Sequence, residues 1–228
     1  MFYMDSYYLL LVVPTLLLSM LARFYVQSSF AKYSRIPCTR RITGRDAAQF
    51  LLQTNQITGV STEPVAGSLT DHYDPRSKVL RLSSASYSSV SIAAIGIAAH
   101  ETGHAIQHAT NYGPLALRST LVPVANIGSS FGPWLAIAGI FFSFPLLVNL
   151  GILLFGGAVL FYVITLPVEF NASSRAIALL RKNNILTADE LVGVKKVLTA
   201  AALTYVASAL TALMSFLRLI LLSRNRRK

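Results

Sequence analysis

At 228 residues the chain could hold one sizeable soluble core, but 54% hydrophobic and 13% charged residues with a mean hydropathy of +0.55 exclude an ordinary soluble domain and point to membrane insertion. The formal charge of +11 does not indicate nucleic acid, because the twenty basic residues fall in loops and flanks between apolar runs, without interleaved aromatics. The charge reads instead as a topology signal and an attraction to anionic lipid. The single cysteine, Cys38, excludes an intrachain disulfide.

In chain order, residues 7–22 are apolar apart from small hydroxyls, contain Pro14, and end at Arg23, which predicts a first membrane helix within residues 1–23. Basic residues follow this run rather than precede it, the pattern of an uncleaved anchor and not of a signal peptide. From Arg23 to Arg45 there are six basic residues and no acidic one, placing that side in the cytoplasm by the positive-inside rule.

Thr43 with Asp46 reads as an N-cap opening a helix through Leu52. Short β-branched or alternating stretches follow at Gly59–Leu69 and Lys78–Leu82, with Asp71-His72-Tyr73-Asp74-Pro75 as the turn between them. From Ser89 the period becomes helical and runs to Ala109, stopped by Asn111, Gly113 and Pro114. Residues 24–115 are therefore a small α+β unit. The uncharged run Ser119–Val168 fits a membrane hairpin, 116–168, bent at Phe144-Pro145. A helical segment, 169–196, contains the capping box Thr187-Ala188-Asp189-Glu190, and 197–228 is a last apolar helix with a basic tail. If that helix crosses, its tail ends opposite the basic loops, against the positive-inside rule. Five basic residues in 175–196 join the six after the first helix, which keeps the cytoplasm as the predicted side of the α+β unit. The expected fold is a mainly α, multi-pass membrane protein with about four apolar helices.

The chemistry concentrates in few residues. His100 and His104, one turn apart at ~100° per residue, share a helix face and can reach one metal ion. Glu101 sits on the adjoining flank, placed to take a proton from a metal-polarised water. A lone histidine on an apolar helix is ordinarily a satisfied core group, but two imidazoles and a carboxylate behind the apolar run Ile92–Ala99 are costly to bury uncompensated. Gly103 leaves room for another backbone or a substrate. A catalytic zinc uses three protein ligands. Between Pro75 and Ala188 the only acidic residues are Glu101 and Glu169, and Glu169 follows the hairpin that brings the chain back. The alternatives are Glu169 paired with Arg175, and His108 as the ligand, although His108 lies ~6 Å further along the helix.

The segments Ala99–Ala109, Leu69–Pro75, Leu121–Asn126 and Leu166–Ser173 together resemble the YugP-type membrane zinc metallopeptidases of bacteria, over essentially the whole chain. The resemblance implies a neutral zinc peptidase, multi-pass in the cell membrane, holding one Zn2+ per chain and acting on protein or peptide substrates. More remotely the chain is similar to the HtpX and CAAX-protease branch of gluzincins, which implies a zincin-like catalytic unit with Glu169 as third ligand. In that branch an Asp four residues beyond this Glu orients a zinc-bound histidine; here the position is Ser173, which supplies no charge. By the same resemblance Lys78–Leu82 would line the cleft and pair with substrate backbone. His72 or Tyr73 is a candidate oxyanion donor, against the plainer reading of a turn held by Asp71 and Asp74, and His108 is placed behind the ligands or at the surface.

Two other classes compete with a peptidase. A metal transporter would line several spans with polar groups, whereas the hairpin offers only hydroxyls, Asn126 and Asn149. A non-catalytic zinc scaffold would have little need of Glu101. An intramembrane-cleaving protease would need an Asp ligand from a later helix, and none occurs between Pro75 and Ala188. A homo-oligomer or a membrane partner is compatible with the sequence.

Overall fold

A computed structural model describes residues 5–225. A π-helical stretch, Tyr8–Val12, leads into α1, Val13–Tyr33. In it the Val13 N–H reaches back five residues to the Tyr8 carbonyl, a register that accommodates Pro14, which has no N–H of its own. There follow α2 (Gly44–Thr54), β1 (Ser61–Val65), β2 (His72–Asp74), β3 (Val79–Ser83), α3 (Ser84–Tyr87), α4 (Ile92–Ala109), α5 (Gly113–Phe141), α6 (Pro145–Lys182) and α7 (Ala188–Asn225). The protein is mainly α with a small sheet. Among the described residues four helices are long and apolar enough to cross a membrane, within Tyr8–Tyr33, Gly113–Phe141, Pro145–Lys182 and Ala188–Arg224. The basic tail lies, from Arg226 on, outside the described residues.

Several sequence expectations need correction. The first helix does not stop at Arg23 but continues to Tyr33, because one arginine ends an apolar run without ending a helix and neither Gly nor Pro intervenes before Pro37. The helix expected from residue 169 does not start there; α6 runs unbroken from the uncharged stretch through Glu169 to Lys182. The segment 71–75 is not simply a turn: His72–Asp74 form a strand, and the turn comes after it, where Lys78 takes a left-handed φ of 54°. The capping boxes at Thr43 and Thr187 form as expected. Thr43 Oγ1 accepts from Asp46 N (3.1 Å) and the Glu190 carboxylate accepts from Thr187 N (2.8 Å).

The chain divides into two units. In one, comprising the described residues up to Arg23, Ala116–Pro167 and those from Leu203 on, α5 and α6 form an antiparallel hairpin. Small residues let the two backbones approach: a Cβ on Gly132 would lie 2.8 Å from Phe155 N. Ala136, Phe155, Ala158, Val159, Ala212 and Leu219 make its core, while Leu153 and Phe142, each 73% exposed, turn large apolar side chains outward. Such a surface suits lipid rather than water. In the same unit α1 and α7 run antiparallel, since Asp5 pairs with Arg218 (Oδ2–Nη2 2.6 Å) and Ser19 meets Thr211 (3.2 Å).

The other unit, Phe24–Leu115 with Val168–Ala202, is built around α4. One side of α4 packs Ile92, Ile95 and Ala99 against Leu51, Leu180, Val194 and Leu198. Another packs Ala98 and Ala105 with Leu52, Leu80 and Leu82 of α2 and β3. The sheet order is β1-β3-β2, parallel between β1 and β3 and antiparallel between β2 and β3, with His72 opposite Arg81 and Asp74 opposite Val79. Asp71 accepts from Ser83 N (2.8 Å) and Ser83 Oγ (3.0 Å), and Asp74 from Arg76 N (2.9 Å) and Ser77 Oγ (2.7 Å). These two carboxylates fasten the loop ends. β3 is the central strand, paired on both sides, so the expectation that Lys78–Leu82 pairs with substrate backbone fails. The free edges belong to β1, where Pro64 removes a donor, and to β2.

Candidate metal centre

Ser91 opens α4 by accepting the Ala94 N–H (3.2 Å), and of the helix's three histidines His104 is buried and His100 partly buried. Gly103 makes the decisive approach. A Cβ there would stand 2.7 Å from the Ala172 carbonyl oxygen, so α4 and α6 cross at near-backbone contact. The neighbour that Gly103 admits is thus α6 itself. This crossing brings Glu169 over the histidines: Glu169 Oε2 is 3.3 Å from His100 Nε2 and 3.6 Å from His104 Nε2.

One ligand atom from each of His100, His104 and Glu169 lies within 4.8 Å of the other two. The imidazoles stand nearly perpendicular, at 86° with centroids 4.7 Å apart, so their nitrogens converge rather than stack. The Glu169 side chain is only 2% exposed, a placement a carboxylate tolerates only with charged or strongly donating partners. Two imidazole nitrogens and one carboxylate oxygen are the donor chemistry of a three-ligand zinc site. The residues present therefore fit the ion.

Both Nδ1 atoms are engaged behind the centre. Ser173 Oγ shares a hydrogen bond with His100 Nδ1 (3.1 Å), and Gln107 Oε1 lies 3.0 Å from His104 Nδ1. Gln107, wholly buried, also donates to Val168 O (2.8 Å) and Asn171 Oδ1 (3.0 Å). Sequence reasoning missed Gln107 and Asn171. A signal was available: an amide one turn after His104 on an otherwise apolar helix must find partners when buried.

Glu101 is 7% exposed and stands outside the converging triad. Burial pulls the His104 pKa down, but the Glu169 hydrogen bond and the charges of Glu101 and Glu169 outweigh it and hold the ring above its ordinary value. The structure does not bring His72, Tyr73 or His108 into the ligand group. His72 is exposed, with Nδ1 2.8 Å from Thr70 O. The Tyr73 hydroxyl bonds His108 Nδ1 (2.9 Å), and burial next to Asp74 raises its pKa. Arg175, the alternative partner for Glu169, instead donates to Asn171 Oδ1 (2.8 Å).

A buried nitrogen and oxygen ligand set on the helices of a largely apolar chain defines the class as a membrane protein with a candidate metal centre. The chain belongs to the family described as "Putative neutral zinc metallopeptidase", whose model matches residues 8–224. It is 46% identical over 220 residues, 96% of this chain and 98% of the other, to "Putative membrane protease YugP" of Bacillus subtilis (strain 168). No solved structure matches the chain.

Proposed function

We propose that the chain is a membrane-bound, gluzincin-like zinc endopeptidase, holding one Zn2+ between His100, His104 and Glu169 and using Glu101 as general base. The observation that carries this reading is the convergence of those three ligand atoms with Glu101 next to His100 on the same buried helix. Bound zinc supplies Lewis acidity, polarising a water and a peptide carbonyl. Glu101 accepts the proton the attacking water loses and returns it to the leaving amine. Ser173 and Gln107 hold the two imidazoles with Nε2 turned inward. Tyr73, whose hydroxyl is occupied by His108, and exposed His72 are weaker candidates for an oxyanion contact than the sequence alone suggested.

Membrane or misfolded proteins are the substrates this reading favours. At ~1.5 Å per residue the α6 stretch from Pro145 to Glu169 measures ~36 Å, slightly more than a ~30 Å hydrocarbon layer, which supports a centre at the water interface. The basic residues flanking α1 support a cytoplasmic face for it. A scaffold or transporter would keep zinc without needing Glu101. The test is Glu101→Gln: it should retain about one zinc per chain and lose cleavage of unfolded or membrane-protein substrates. Equal cleavage by wild type and variant sinks the catalytic reading.

A further inference from the structure

The geometry points to Gln107 as the positioning residue that fixes the tautomer of His104, with its own orientation set through Asn171 by Arg175. The inference rests on the zinc reading only for its consequence. An imidazole can ligate through Nε2 only if the ring proton sits on Nδ1, and the partner of Nδ1 decides where that proton sits. Here that partner is an amide oxygen at 3.0 Å. An amide can turn over, so something must keep the oxygen, and not the nitrogen, facing His104.

Two acceptors do this. The Gln107 nitrogen lies 2.8 Å from the Val168 carbonyl oxygen, a backbone group that cannot exchange roles, and 3.0 Å from Asn171 Oδ1. Asn171 could itself turn over, but Arg175 Nε lies 2.8 Å from the same Oδ1, and a guanidinium can only donate. The polarity therefore runs one way. Arg175 donates to the Asn171 oxygen, which also accepts from the Gln107 nitrogen; the Gln107 oxygen then accepts from His104 Nδ1–H. That leaves the Nε2 lone pair free for the ion; without the ion, Nε2 faces the Glu169 carboxylate at 3.6 Å, and the carboxylate and the Gln107 oxygen compete for the ring proton. A turned-over Gln107 would set its oxygen against two oxygens and force the ring proton onto Nε2, which would abolish the ligand. Gln107 is wholly buried, so no water substitutes for it.

The test uses full-length protein in detergent. Chelator competition measures zinc affinity, and histidine side-chain 15N spectra of the metal-free Glu169→Leu variant, which lacks the carboxylate that competes for the Nε2 proton, read the tautomer on the alkaline side of the ring's own titration. The His104 signal is assigned by its loss in His104→Gln. In this background His104 should be protonated on Nδ1, and adding Gln107→Met should remove that preference. With Glu169 present, Gln107→Met should bind zinc ~10–100-fold more weakly, with Asn171→Ala weakening it by less. A His104 protonated on Nε2 in the Glu169→Leu variant, or Gln107→Met with unchanged zinc affinity, overturns the proposal. Should Gln107→Met fail to fold, the Glu169→Leu spectrum and Asn171→Ala still decide. Should the protein bind no zinc, the zinc reading fails while the tautomer measurement stands.

Discussion

The Cα of Gly103 faces the Ala172 carbonyl so closely that a methyl group added there would sit 2.7 Å from the oxygen. That oxygen belongs to the backbone of α6 and cannot swing aside like a side-chain tip. Gly103→Ala should therefore push α4 from α6, costing ~1–3 kcal/mol of stability, and move Glu169 off the histidines. Thermal unfolding and zinc titration check both effects. An alanine variant with wild-type zinc affinity would show that the crossing is not what positions Glu169.

Removing the Glu169 charge tests the third ligand. Glu169→Gln keeps the size of the side chain but offers the ion a neutral oxygen in place of a carboxylate, and two imidazoles alone make a weak site. Zinc stoichiometry by metal analysis should fall well below one per chain after dialysis, whereas His108→Gln should leave it unchanged.

Zinc binding should weaken as pH falls, and the fall should begin above the ~6.5 of an unperturbed histidine. The sign follows from the carboxylates: Glu169 and Glu101 favour protonated His104 and raise its pKa, so protons compete with zinc at higher pH than usual. Glu101→Gln removes one of these charges, and its affinity-versus-pH curve should shift to lower pH. Chelator competition from about pH 5 to 9 would follow the curve; a shift to higher pH contradicts the electrostatic account.

Ser173→Ala should weaken zinc binding by less than Gln107→Met. The hydroxyl shares one bond with His100 (3.1 Å) and is half-buried, so water can replace it. Equal losses in isothermal titration would mean that burial does not separate the two supports.

The antiparallel run of α1 and α7, pinned by Asp5–Arg218 and Ser19–Thr211, predicts that Asp5 and the C-terminal turn of α7 share one face of the membrane. The native thiol, Cys38, is 1% exposed, which keeps the labelling background low. An impermeant maleimide on intact cells should label Lys228→Cys and spare Ser61→Cys. Labelling at Ser61→Cys alone reverses the orientation.

Sequence by itself determined the apolar helices, the α4 register and the candidate ligands His100, His104 and Glu169. Charge was so scarce that each buried carboxylate and imidazole stood out, and the 3.6-residue period placed His100 and His104 on one face without any tertiary information. The Thr43 and Thr187 caps were equally legible, because capping is a contact across three residues. What tertiary structure decided were the pairings between distant segments. No local signal says that β3 is flanked on both sides, that Tyr73 meets His108, or that α6 passes Glu169 without a break. Nor does the chain announce that Gly103 is kept small for the Ala172 carbonyl. The glutamate attached to the histidines was found in sequence by counting; the closeness that makes it a candidate ligand, and the α6 acceptors that hold the Gln107 amide, come from two helices crossing.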